Sequence, residues 1–195
     1  MSSTDPFSET AEPGRRLTAD EIKLLQRVFR DTLPYSRILC YTMAGSKSIT
    51  PTGNPYFARS IYFDDFSKIP PDHPKRNDAL WNFVHEHTHV WQYYHGINVV
   101  RQAICVANIR GPYVEAYKYR LATRQPFLTY NIEQQASIVA DYWGWARQIP
   151  LSAFNRDETP QLSDYDEAIK TVQQSGHPRM PIFPKFPEFP NSDAN

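Results

Sequence analysis

Val84-His85-Glu86-His87-Thr88-His89-Val90-Trp91-Gln92 carries the pattern HExxH, with His85 and His89 as its outer histidines. On a helix, residues four apart share a face, so both imidazoles point the same way. Their axial separation of about 6 Å, at about 1.5 Å per residue, suits two corners of a tetrahedral zinc site. Glu86 then stands beside the metal, where a carboxylate can take a proton from metal-bound water. No Gly or Pro interrupts residues 79–95, and Leu80, Phe83, Val84, Thr88 and Trp91 recur at helical spacing, as a buried helix requires. Asn77 or Asp78 is expected to cap the helix start and Gly96 to end it. His87 falls on another face and is expected to be packed or solvent-exposed.

A catalytic zinc site needs a third protein ligand and an open fourth position. His95 stands six residues after His89, the spacing of the metzincin pattern HExxHxxGxxH, but Gln92 replaces the Gly that lets the chain leave the helix. Glu133 is the preferred ligand. It lies in Tyr130-Asn131-Ile132-Glu133-Gln134-Gln135-Ala136, and Ala136 and Ala140 share its helix face. Small residues there allow close approach to the HExxH helix, so a second helix would complete a His2Glu set. Asp141, two turns on, is expected to accept a hydrogen bond from a ligand histidine.

The 195-residue length suits one domain with a real core. Lys plus Arg and Asp plus Glu balance at 21 each, without a basic block, which argues against nucleic acid as a partner. Cys40 and Cys105 are isolated, so one bridge at most is open to them. No apolar run approaches a membrane span, and residues 1–16 lack the apolar centre of a signal peptide. The expected location is the cytoplasm of the producing cell, with export by a route without a cleavable signal left open.

Residues 1–16 read as a flexible leader and 17–176 as the folded domain. Thr18-Ala19-Asp20-Glu21 is a capping box opening a helix to about Arg30, with Ile22, Leu25, Val28 and Phe29 inward. Strands are expected at 37–42 and 56–63, separated by the turn Thr50-Pro51-Thr52-Gly53-Asn54-Pro55. Helices are expected over 97–109, 131–148 and 161–175, and 113–121 reads as a loop with some helix. The layout is helix-rich with a small sheet, an α+β fold. In residues 177–195, Pro178, Pro181, Pro184, Pro187 and Pro190 recur every third residue, with Met180, Phe183, Phe186 and Phe189 on a second edge. That spacing predicts a polyproline-II-like rod with an aromatic side, fit to lie on its own domain or in a partner's groove.

The block around His85–Gln92 resembles the "HE-x-THVWQ" segment of bacterial Vgr-related, Rhs-associated zincin-like proteins, often encoded beside type VI secretion components. Leu17 to Arg37, Ile49 to Phe57 and Tyr130 to Tyr142 resemble further segments of that family, in the same order. His87 stands where those proteins usually carry Leu or Met. The resemblance implies a compact gluzincin-like fold with Glu133 as third zinc ligand, and a link to secretion.

The first functional expectation is a zinc-dependent peptidase or amide hydrolase, a delivered toxin or processing enzyme, with a peptide or protein substrate. Glu86 would be its general base, and Tyr130 or Tyr119 would stabilise the oxyanion. By analogy with zincins, residues 56–63 would offer an edge strand to the substrate. The alternative is a catalytically silent, zinc-stabilised adaptor that docks on the secretion apparatus or an immunity protein. A third expectation has the tail plugging the cleft.

Overall fold

The computed structural model describes residues 14–60, 62–107, 113–121, 125–147 and 160–176. The Pro/Phe tail, and the leader up to residue 13, lie outside them.

Helix α1 (Ala19–Phe29) opens at the capping box: Thr18 Oγ1 accepts the Glu21 N–H at 3.2 Å, and Glu21 accepts the Thr18 N–H at 2.9 Å. Glu21 is fully buried. Its carboxylate is gripped by the Arg15 guanidinium at 2.6 and 2.8 Å and by the Phe66 N–H at 2.9 Å. Arg15 lies in strand β1 (Arg15–Arg16), which pairs antiparallel with β2 (Leu39–Met43). The chain therefore joins the domain at Arg15, not after residue 16, because a buried carboxylate needs its countercharge.

Strand β2 pairs in parallel with β3 (Tyr56–Ala58), Tyr41 opposite Tyr56 and Met43 opposite Ala58. The sheet order is β1-β2-β3. Both strands differ from expectation. Tyr35–Arg37 forms a 3-10 turn after Pro34, so β2 starts two residues late. The second strand stops at Ala58 instead of reaching Phe63. Asp65 caps a 3-10 turn at Phe66–Lys68, and Phe63 and Phe66 turn into the core.

Helix α2 (Arg76–Tyr94) carries HExxH through the centre of the molecule. It begins at Lys75 without a side-chain cap, and Asn77 and Asp78 lie inside its first turn rather than before it. Gly96, at φ 84°, follows its end, in a conformation that glycine tolerates best. From Leu80 to Gln92 every residue except Asn82 is buried, so the helix is enclosed by packing on all sides.

Helix α4 (Ile132–Trp145) packs along α2, and the buried Ala136 and Ala140 keep that face of it small. Helix α3 (Val99–Ala107) lies against α2 and α4, and α5 (Asp166–Gln174) closes over α1. The fold is α+β, helix-rich with a small sheet. Cys40 is buried, Cys105 is exposed, and both are free thiols. No helix among the described residues is long and apolar enough to cross a membrane.

Candidate metal centre

One turn of α2 separates His85 from His89, and their rings meet edge to face with centroids 4.9 Å apart. Glu133 reaches them from the first turn of α4. Asn131 sets that turn: its side chain accepts the N–H groups of Glu133 and Gln134, both at 2.9 Å. Glu133 Oε2 then lies 3.1 Å from His85 Nε2 and 3.4 Å from His89 Nε2. Three ligands at tetrahedral corners around zinc, each about 2.0–2.1 Å from it, stand about 3.3 Å apart. The two separations from the carboxylate match that spacing, all three donor atoms lie within 4.8 Å of one another, and two imidazole nitrogens with a carboxylate oxygen fit a zinc ion in chemistry. Among the described residues this is the cluster able to hold a metal.

Without an ion, the cluster holds a proton. Burial works against a charged imidazole at His89, yet Glu133, helped by Glu86 and Gln92, raises it to about 9. Burial also opposes ionisation of Glu133, but His89 and His85 hold its carboxyl well below the usual carboxylate range. A cation placed between them would displace that proton.

Gln92 orients His89. Its Nε2 donates to the Ile132 carbonyl and to Gln135 Oε1, both at 3.0 Å. Its Oε1 is therefore the acceptor facing His89 Nδ1 at 2.7 Å. Nδ1 must be protonated, which turns Nε2 toward the cluster. Gln135 Nε2 in turn donates to the Tyr130 carbonyl at 2.7 Å.

Asp141 does not take the expected role. It is buried, but Oδ1 accepts from Trp81 Nε1 at 2.9 Å and Oδ2 from the Tyr119 hydroxyl at 2.5 Å. His85 Nδ1 has no partner among the described residues. The support of His85 is instead a stack: the Trp81 indole lies 4.8 Å from its ring at 27°. Among the described residues, Asp141 thus reaches His85 through Trp81.

Glu86 is buried, and burial pushes its carboxyl up, against the pull of His89, His85 and Thr50. Thr50 Oγ1 donates to Glu86 Oε2 at 2.7 Å. The turn that brings Thr50 there is closed by paired hydrogen bonds of Ile49 and Tyr56, and Asn54 Oδ1 accepts the Leu39 N–H at 2.9 Å. A Cβ on Gly53 would stand 2.6 Å from the Tyr94 ring, so a larger residue in this turn would require the Tyr94 side chain to shift.

The remaining candidates fall elsewhere. The Tyr130 hydroxyl donates to the Arg120 carbonyl at 2.5 Å, and Tyr119 is turned to Asp141 and Tyr165. Both phenols are occupied in packing α4 against the 113–121 segment. Tyr117 stands at the site instead, its ring 5.6 Å from that of His85. His95 stacks on Trp91 and binds Ser175 Oγ at 3.0 Å, tying α2 to the end of α5. His87 is buried against Phe83 and Phe57, its Nδ1 2.7 Å from the Phe83 carbonyl, and burial lowers it to about 4. Sequence reading missed Thr50, Tyr117 and the role of Gln92. The turn motif signalled Thr50 as structure, but nothing in its spacing linked it to Glu86.

Two open cavities meet over the cluster and share Ser48, Ile49, Glu86 and Tyr117. One, of about 620 Å³, runs past His85 between β3 and the start of α2. The other, of about 370 Å³, runs past His89 and Glu133 to α3.

No family model matches the chain. The chain is similar to the type VI secretion system spike protein VgrG2b of Pseudomonas aeruginosa (strain PAO1), with 33% identity over 156 residues. That match spans 68% of this chain and 13% of the spike protein. It is also similar to the solved effector domain of Pseudomonas aeruginosa VgrG2b, with a TM-score of 0.58 and 28% identity over 83% of this chain and 85% of that one. The likeness therefore falls on an effector domain, a small part of a much longer spike protein, and the chain is related to that domain in sequence and in fold.

Proposed function

We propose that the chain is a zinc-dependent hydrolase of peptide or amide bonds and an effector of a type VI secretion apparatus. One observation carries the reading: His85, His89 and Glu133 converge, with Glu86 beside them, where two open cavities join. A zinc ion held there would polarise a scissile carbonyl and bring the pKa of its water towards neutrality.

Glu86 would accept the proton of the attacking water and deliver it to the leaving amine. Burial raises its proton affinity, which suits a group that must both take and return a proton. Thr50 would hold the Glu86 carboxylate in place through Oε2. Tyr117, at the junction of the cavities, replaces Tyr130 as the candidate donor to the developing oxyanion. Gln92 and Trp81 would keep the two imidazoles aimed.

The relation to the VgrG2b effector domain supports delivery by a secretion apparatus, with that apparatus as a partner. An adaptor with a purely structural zinc would close its centre with protein, and the open cavities on both sides of Glu86 favour the hydrolase over it.

The test is Glu86→Gln in the zinc-loaded protein. Metal analysis should find zinc retained, while hydrolysis falls by about 10²-fold or more and toxicity to a susceptible bacterium is lost. Zinc absent from the wild type, or hydrolysis unchanged in the variant, would overturn the reading.

A further inference from the structure

Acidic and basic residues balance at 21 each along the chain, yet folding gathers one sign at the start of α2. Arg27 of α1, Arg76 of α2 and Arg147, just past the end of α4, line one cavity of about 330 Å³. They come from three separate stretches of sequence, so no basic block announces them. This cavity shares no lining residue with either cavity over the metal centre. His85 lies about 14 Å further along α2 than Arg76, at about 1.5 Å per residue.

Guanidinium groups gathered in this way call for anionic partners. Asp20 lies in the same wall, but its carboxylate is occupied: Oδ1 accepts Lys23 Nζ at 3.0 Å and Oδ2 accepts Lys68 Nζ at 3.3 Å. Among the described residues no carboxylate pairs with Arg27, Arg76 or Arg147. Arg76 Nε donates to the Ile69 carbonyl at 3.0 Å and Arg147 Nη1 to the Trp143 carbonyl at 2.7 Å. The Arg147 guanidinium also lies over the Trp143 ring, 4.4 Å from its centroid. Burial and the repulsion of Arg27 bring Arg147 down to about 10, so all three stay charged at neutral pH. Helix α2 begins here without a side-chain cap, and its positive end adds to the field.

A second observation comes from Trp143, which is 2% exposed and forms part of the wall. Its Nε1 has no hydrogen-bond partner among the described residues. A buried N–H without an acceptor is a cost that an oxyanion ligand would remove. A carboxylate has two oxygens and suits one guanidinium fork, whereas a phosphate dianion has oxygens enough for three. We propose that this cavity binds a phosphate group, with Arg27, Arg76 and Arg147 as its anchors. At about 330 Å³ it falls within the range of small-molecule sites, about 300–1,000 Å³. Leu24, Leu80 and the Trp143 ring then face the organic body of a phosphate monoester.

The probes are methyl phosphate, inorganic phosphate and acetate, titrated calorimetrically into the full chain at matched ionic strength. Both phosphates should bind about tenfold or more tightly than acetate. Arg27→Gln and Arg147→Gln should each weaken phosphate binding about tenfold or more. Arg27 is exposed, and its removal relieves the repulsion on Arg147. Arg27→Gln should therefore raise Tm in phosphate-free buffer while losing the further rise that phosphate gives the wild type. A purely structural arginine would not give those opposite signs. Zinc-loaded and metal-free protein should bind phosphate alike, which separates this site from phosphate held by the metal. Sedimentation with phosphatidylcholine vesicles, with and without phosphatidic acid, identifies the source. Capture by phosphatidate vesicles, lost in both variants, would place the phosphate on a lipid headgroup; binding of methyl phosphate without capture would place it on a free small molecule.

Equal or undetectable binding of phosphate and acetate would overturn the site. So would a phosphate affinity that survives both substitutions or that disappears with the zinc.

Discussion

Gln92 accepts the Nδ1–H of His89 at 2.7 Å while its own amide is spent on α4. The residue that fills the glycine position of the metzincin pattern is thus the one that orients His89 and ties α2 to the helix bearing Glu133. Gln92→Leu keeps the bulk and removes both functions. Zinc affinity, read by competition with a chelating dye, should fall about 10–100-fold. An unchanged affinity would show that packing alone aims His89.

Zinc binding should release protons. In the metal-free protein His89 is raised to about 9 by Glu133, so it is protonated at neutral pH and must lose that proton to bind metal. Between about pH 6 and 9, affinity should rise about tenfold per unit, then level off. Calorimetry in buffers of different ionisation enthalpy should count about one proton released at pH 7.5. The same raised value, with the lowered Glu133 carboxyl, means that the His89–Glu133 contact stabilises the metal-free fold most between about pH 4.5 and 6.5 and is lost as pH rises through about 9.

His87 should make the protein acid-sensitive. Its folded value, about 4, lies below the unfolded value, so the unfolded chain binds the extra proton first. Stability is complete above about pH 6.5 and declines as pH falls to about 4, by roughly 3 kcal/mol in all. His87→Leu also removes a buried Nε2 without a described partner. Urea denaturation should show a flatter stability profile between pH 6.5 and 4 in this variant; an identical profile would exclude His87 as the cause.

Arg15→Ala should cost about 3–5 kcal/mol, because it strands the buried Glu21 carboxylate. Adding Glu21→Gln should recover part of the loss, since the stranded charge goes with it. Chemical denaturation of both variants checks the pair; strictly additive losses would contradict the coupling.

Thr50→Val should lower turnover about tenfold or more while zinc content stays whole, as a charge-assisted hydrogen bond to Glu86 is worth about 1.5–3 kcal/mol. Thr50→Ser should restore most of it. If Ser and Val behave alike, the hydroxyl is not what matters.

Much of this molecule was legible along the chain because its signals are local. HExxH puts two imidazoles on one helix face by periodicity alone, and Thr18-Ala19-Asp20-Glu21 states a cap within four residues. Glu133 was legible as one of two candidate third ligands, beside His95, since Asn131 marks a helix start and Ala136 and Ala140 mark a close-packing face. What failed depended on which distant group arrives first. Asp141 has the right chemistry for a histidine partner, but Trp81 and Tyr119 occupy both its oxygens. Tyr130 has the right type and neighbourhood, yet its hydroxyl is turned to the Arg120 carbonyl, and Tyr117 holds the place at the site. Strand 56–63 was cut short because Phe63 and Phe66 gain more by burial in the core than by extending an edge.

The sequence by itself determined the helix that carries the two histidines and the donor types on it, because side-chain direction on a helix follows from residue number. Only the tertiary structure decided which carboxylate meets the histidines, which hydroxyl meets Glu86 and what lines the groove beside them. Those contacts join residues 36 to 48 positions apart, and no local rule fixes them. They follow from how α2, α4 and the Thr50 turn share one buried space.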